Sequence, residues 1–231
     1  MSLMTTFHQF RLVAVISLYV ACNCTLAQTT TYADAAPSTH ETVGQLAKNL
    51  NVGDIVFIHV SPLPFEKVSS VTRSWVNHVG IVADVSGSEP VIAESTFPFS
   101  RTTNLTRFVT RSKSGRIAVA RLAKPLTAQQ SHEVWQASSK RLGIFYDTGF
   151  NLNSQHQFCS RFVREVLAEA TGVTVGEVET FTTLLKSNPD ADLTFWRIWY
   201  FGRIPWERKT VTPASLLHSG RLNIVFDGFA S

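Results

Sequence analysis

The chain has 231 residues, a formal charge of +4, 44% hydrophobic and 16% charged residues. That length suits one domain with elaborations, and the balance excludes a disordered or fibrous chain. The densest basic stretch, Arg101, Arg107, Arg111, Lys113 and Arg116, lacks the interleaved aromatics of a nucleic-acid-binding surface. It reads as a solvated face, with an anionic surface such as lipid or wall polymer as the alternative.

Arg11 precedes an apolar run from Leu12 to Ala21. The run is too short to span a bilayer, which takes about 20 apolar residues. It fits the h-region of a secretory signal peptide over residues 1–27, with Thr25-Leu26-Ala27 as the cleavage site. The expected location is the periplasm or cell envelope. A lipoprotein signal ending at Cys22 is the alternative, although Tyr19 stands where an aliphatic residue is usual. Cleavage after Ala27 removes Cys22 and Cys24 and leaves Cys159 as the one thiol of an exported chain. Such a thiol is either a reactive group or a buried core cysteine.

Residues 28–52 read as a polar leader followed by a helix. Ser38 and Glu41 form a capping-box pattern, and Val43, Leu46, Ala47 and Leu50 recur at helical spacing, which predicts a helix over 39–50. Gly53-Asp54 breaks it and opens the main domain, 53–231. Ile55 to Val60 is a β-branched run ended by Pro62 and Pro64. Phe65 to Trp75 suggests a short helix. His78 to Val85 and Pro90 to Glu94 are strands joined by a Ser86-Gly87-Ser88 turn, and Arg116 to Leu122 is another. Thr127 and Gln130 cap a helix running to about Leu142, and Gly143 to Gln157 is a loop. Phe158 to Ala170 is strongly helical, with Phe162, Val163, Val166, Leu167 and Ala170 as its apolar stripe. Thr212-Pro213 opens one more helix, and Leu222 to Phe226 is the last strand. Elements grouped in blocks favour an α+β fold over a doubly wound sheet.

Cys159 falls at the start of a helix, where unpaired N–H groups and the helix dipole favour a thiolate. A thiolate nucleophile needs a base, and the base an orienting group. Of the seven histidines, His8 is in the signal, and His40 and His132 read as surface. His156 is too near Cys159 in sequence for good geometry. His59 lies in an apolar strand and reads as structural. His78 opens a strand in which it shares a face with Gly80, and the glycine leaves room for a close approach. Glu94 is the first choice to accept from the imidazole and fix its tautomer, with Asp54 and Asp147 as lesser candidates. No His or Cys pair has zinc-like spacing, and no phosphate-cradling glycine loop is present.

Several stretches together resemble a known family: Gly53-Asp54-Ile55-Val56-Phe57, Asn77-His78-Val79-Gly80-Ile81-Val82, Val91-Ile92-Ala93-Glu94, Gly143-Ile144-Phe145-Tyr146-Asp147, Phe158-Cys159-Ser160-Arg161-Phe162-Val163 and Thr212-Pro213. In order they resemble the circularly permuted papain-like amidases related to NlpC cell-wall hydrolases, of the YaeF/YiiX type. The histidine and carboxylate precede the cysteine, the reverse of ordinary papain-like order. The resemblance implies an α+β papain-like fold, with a helix bearing Cys159 packed on a small antiparallel sheet bearing His78. It implies amide or ester hydrolysis through an acyl-enzyme on Cys159, with His78 as base, Glu94 as orienter and no cofactor. The family often has its glutamate directly after Val-Ile, and Glu-Leu after Cys-Ser. Here Ala93 precedes Glu94, and Arg161-Phe162 follows Ser160, so that Arg161 either meets an acidic substrate group or faces solvent.

The expected partner is a small peptide, wall-derived by analogy. The alternatives are a lipid acyltransferase or thioesterase of the lecithin–retinol type and a non-catalytic envelope binding module. Phe195, Trp196, Trp199, Tyr200, Phe201 and Trp206 would pack the core, line an acyl groove or touch a membrane surface.

Overall fold

The computed structural model describes residues 39–231. The expected signal segment, with Cys22, Cys24 and Ser38, lies outside the described residues. The strands are β1 (His40–Glu41), β2 (Ile55–Ile58), β3 (His78–Asp84), β4 (Val91–Glu94), β5 (Arg101–Asn104), β6 (Arg116–Leu122) and β7 (Leu222–Ala230). The helices are α1 (Val43–Asn49), α2 (Leu63–Thr72), α3 (Leu105–Val109), α4 (Ala128–Ser139), α5 (Cys159–Thr171), α6 (Phe181–Ser187), α7 (Thr194–Trp199) and α8 (Pro213–Leu217). The seven strands form one sheet in the order β1-β7-β6-β2-β3-β4-β5. Every pairing is antiparallel except β1 with β7.

Strand periodicity divides the core between the two faces of this sheet. Ile55, Phe57, Val79, Ile81, Ala93 and Ala118 pack under α4 and α5, against Val134, Phe162, Val163 and Val166. Val56, Ile58, Val82, Ile92, Ile117 and Val119 pack on the other face against α1 and α3, through Leu46, Leu105 and Phe108. Both faces of β2 are covered, which explains why it reads as a continuous apolar run rather than an alternation. A third cluster joins α2, α6 and α7 through Val71, Leu184 and Trp196.

The first helix starts later than the Ser38–Glu41 pattern predicts. Thr42 is the N-cap: its hydroxyl accepts from the Gln45 N–H at 3.1 Å, and the Gln45 side chain accepts from the Thr42 N–H at 2.8 Å. His40 and Glu41 pair instead with Phe229 and Ala230 of β7. Leu46 and Leu50 lie in the same core as β2 and β6, and the described residues belong to one compact unit. Gly53, at φ 90°, is the turn between this helix and β2.

The basic stretch is solvated only in part: Arg101, Arg107 and Lys113 are exposed, but ion pairs tie most of the stretch down. Arg111 and Arg101 both bond Glu94, Arg116 pairs with Asp227 at 3.1 Å and lies over the Trp75 ring, and Lys113 reaches Glu66 at 3.4 Å. Arg101 to Val109 forms an edge strand and a short helix. Among the described residues, no helix is long and apolar enough to cross a membrane.

Candidate active site

Cys159 is the first residue of α5. Its N-cap is Phe158, in extended conformation and without a side-chain cap. A Ser, Thr, Asp or Asn there would satisfy first-turn N–H groups, whereas a buried phenylalanine leaves them without a side-chain acceptor. The Ser160 hydroxyl donates to the Val211 carbonyl at 2.7 Å and so ties the helix start to the segment leading into α8. The far end of the helix closes on Gly172 in the left-handed region.

His78 opens β3, with its ring set edge-on to Phe65 and tilted against Phe108. Its Nε2 lies 2.6 Å from Glu94 Oε2, and both side chains are buried. The sheet register accounts for this. Ile81 is opposite Ala93, so one step further Glu94 is opposite Gly80 and diagonal to His78 on the same face. The room at Gly80 is not open space for a substrate. A Cβ there would lie 2.5 Å from Ile92 Cγ2 and 2.9 Å from Phe108 Cε2. The glycine admits the ring that backs His78.

The opposite ring nitrogen of His78, Nδ1, is buried and makes no hydrogen bond that meets both distance and angle. It is left for the Cys159 thiol, which interacts with the imidazole. Burial by itself would lower the His78 pKa. The contacts with Cys159 and Glu94 outweigh it and raise the imidazole to about 9. Burial likewise pushes the Glu94 carboxyl up, but His78 and then Arg111 hold it down at about 2. Arg111 Nη2 donates to Glu94 Oε2 at 2.8 Å, and Arg101 Nε lies 3.5 Å from Oε1. Glu94 is thus an anion whose position three cationic or polar partners fix.

The lesser candidates do not reach His78. Asp54 accepts from Arg121 Nε at 2.7 Å and from Nη2 at 2.8 Å, at the end of β2 away from Ile58, the residue paired with His78. Asp147 accepts from the N–H groups of Gly149 and Asn151 and builds a turn. His59 is structural: Nδ1 contacts the Trp75 carbonyl and Nε2 is 3.0 Å from Glu66. His40, His132 and His156 are exposed. Arg161 takes neither expected role. It pairs with Glu165 at 2.7 Å and donates to the carbonyls of Ser154 and His156, each at 2.8 Å, pinning the loop before the cysteine.

Tyr146 and Arg111 are the residues that sequence reasoning missed. Tyr146 is held by its own N–H donating to the Pro98 carbonyl at 2.9 Å and by a bridge to Gln157. Its buried hydroxyl lies beside the thiol and the backbone N–H of Cys159, without a fully formed hydrogen bond to either. Burial and then Cys159 push the phenol well above its ordinary pKa, so it is a neutral O–H donor. The one sequence signal was its place before Asp147 in a loop adjoining the cysteine.

Two hollows meet at this point and share Tyr146 and Phe150. The first, about 60 Å³, is lined by Cys159 and apolar side chains that include Val71, Phe158, Leu184 and Trp196. The second, about 620 Å³, is lined by His78, Arg111, Ser61, Thr96, Phe97 and Trp199 among others. The aromatic residues of α7 and the turn after it thus divide their roles: Trp196 is core and wall, Trp199 is cleft wall, and Phe201 is exposed.

A helix N-terminus carrying a cysteine, set against an antiparallel sheet carrying a buried His–Glu pair, defines a papain-like cysteine hydrolase with its chain order permuted. The model of the permuted papain-like amidase enzyme family (YaeF/YiiX, C92) matches residues 49–226, and the chain belongs to that family. It is an enzyme of the cysteine peptidase and amidase kind. It is 25% identical over 173 residues to the uncharacterized protein YiiX of Escherichia coli (strain K12), covering 75% of this chain and 84% of that protein. The crystal structure of yiiX from Escherichia coli O157:H7 superposes with a TM-score of 0.68 at 25% identity, over 78% of this chain and 98% of that one. That structure is described as a metalloprotein. Among the described residues here, no group of three or more His, Cys, Asp or Glu side chains is arranged to hold a metal ion.

Proposed function

We propose that this chain is an exported amidase that cleaves an amide bond in a small wall-derived peptide through an acyl-enzyme on Cys159. The observation that carries the reading is the buried His78–Glu94 pair at 2.6 Å, with the second imidazole nitrogen left to Cys159 at an uncapped helix start. Cys159 Sγ attacks the carbonyl carbon, and the thiol proton resides on His78 Nδ1. The C–N bond breaks as that proton passes to the leaving nitrogen. Water then attacks the thioester, with His78 taking its proton, and returns it to Sγ as the acid leaves. Glu94 accepts from Nε2–H and keeps Nδ1 directed at the sulfur. The backbone N–H of Cys159 and the Tyr146 hydroxyl donate to the oxyanion.

The 60 Å³ hollow lies on the cysteine side and takes the group next to the acyl carbon. Its walls are mostly apolar, so it suits an apolar group. Export is supported by Arg11 and the apolar run that follows it.

The test is turnover of wall-derived peptides with acid-quenched intact-mass detection. Wild type should give product and an adduct on Cys159. Cys159→Ala should give neither while keeping its circular dichroism. Tyr146→Phe should lower kcat by about 10²–10³, the usual worth of one oxyanion donor. Turnover that survives Cys159→Ala would sink the proposal.

A further inference from the structure

Hydrolysis assigns the two hollows to opposite sides of the scissile bond. The base that takes the thiol proton must hand it to the leaving nitrogen, so the leaving group lies beside His78. Only the larger hollow is lined by His78, and only the smaller is lined by Cys159. The leaving group therefore occupies the larger one. Its walls are otherwise apolar or neutral, and Arg111 is their one permanently charged residue. No acidic residue lines it.

Arg111 is built into place for more than a bond to Glu94. Its guanidinium stacks 4.9 Å from the Phe108 ring centre, and one nitrogen, Nη2, bonds Glu94. The side chain remains 29% exposed. A guanidinium has five N–H donors, so a fork remains toward the cleft. Its charge is not cancelled: Arg101 also contacts Glu94, and the cationic His78 shares the same carboxylate. Counting the Cys159 thiolate whose proton His78 carries, two anions among three cations leave one net positive charge next to the leaving group. A carboxylate there would make charge-assisted, bidentate bonds to Arg111.

We infer that Arg111 is a specificity-determining residue that binds a carboxylate on the leaving-group side. The substrate class is an acyl-amino acid or peptide whose released amine carries a free carboxylate close to the scissile bond. This deepens the amidase reading and rests on it.

The test pairs two peptides, acetyl-Ala-Ala-Ala with a free carboxylate and the same peptide as its carboxamide. It uses wild type, Arg111→Gln and Arg101→Gln. Arg101 touches Glu94 but does not line the cleft, so it controls for a disturbed carboxylate. Wild type should prefer the carboxylate by about tenfold or more in kcat/KM, as a charged hydrogen bond is worth. Arg111→Gln also loosens Glu94 and lowers turnover of both peptides, so it is read as a ratio, which should come close to unity; Arg101→Gln should keep the preference. A second readout needs no substrate: the ratio of Cys159 alkylation by iodoacetate to that by iodoacetamide should fall several-fold in Arg111→Gln only. Equal cleavage of both peptides by wild type, or a preference that survives Arg111→Gln, overturns the inference. If neither peptide is cleaved, the amidase reading fails separately, and an alkylation ratio unchanged by Arg111→Gln then overturns the Arg111 site.

Discussion

His78 and Glu94 carry opposite pH signatures because each is charged by the other. Glu94 is held down at about 2 against an ordinary 4.5. Its contribution to stability is therefore present above 4.5 and is lost as the pH falls through about 2. His78 is raised from 6.5 to about 9, so its contribution is full below 6.5 and is lost as the pH rises through about 9. Between 4.5 and 6.5 both are intact. Burial works against the histidine, and Cys159 is the largest of the influences that raise it. The imidazole midpoint in Cys159→Ala, followed by NMR of labelled histidine, should accordingly lie below that of wild type. The variant should also lose less melting temperature than wild type between pH 6.5 and pH 9. An unchanged midpoint would mean that Glu94 alone sets the charge and that Cys159 does not interact with the ring.

At the scale of elements, the site depends on α3, a five-residue helix that positions Phe108 behind His78 and Arg111 on Glu94. Gly80→Ala tests that support. The added Cβ meets Ile92 and Phe108 well inside contact distance, and overpacking of this kind costs about 1–3 kcal/mol. The melting temperature should fall, and turnover should fall further than stability explains, because the displaced ring is the one against His78. Turnover proportional to folded protein would show that Phe108 only fills space. The sequence displayed Cys159, His78 and Glu94 because their signals are local: a helix start, and strand alternation that puts Glu94 and Ile92 on one face. The α5 stripe and the Thr127 cap were legible for the same reason. Arg111 was not, because its partner lies 17 residues back on β4, and a run of arginines looks solvated until the acids facing it are known. Strand β5 was missed because Arg101, Thr102, Thr103 and Asn104 are polar and only an edge position accommodates them. Helices α6 and α7 are short and pack through aromatics in a separate small cluster, so neither shows a long helical period.

Over the whole molecule, the permuted order places no burden on the fold, because β1 lies beside β7 and the first described segment is sewn to the last strand. Residues 39–50 read as a helix outside the domain only if helical spacing is divorced from what the helix packs on. Leu46 is 1% exposed and sits with Val56, Ile58, Ile117 and Val119, beneath the sheet face that carries Gly80 and against which Phe108 packs. Removing its side chain leaves a cavity in that layer. Leu46→Ala should cost about 2–5 kcal/mol, seen as a lower midpoint in chemical denaturation with an unchanged slope. Leu63→Ala is the control: Leu63 is 57% exposed, and its loss should stay within about 0.5 kcal/mol. If the two variants denature alike, the N-terminal helix is a detachable leader and the domain begins at Gly53. If only Leu46→Ala is weakened, the helix that precedes the matched strands is part of what holds His78 and Glu94 in register.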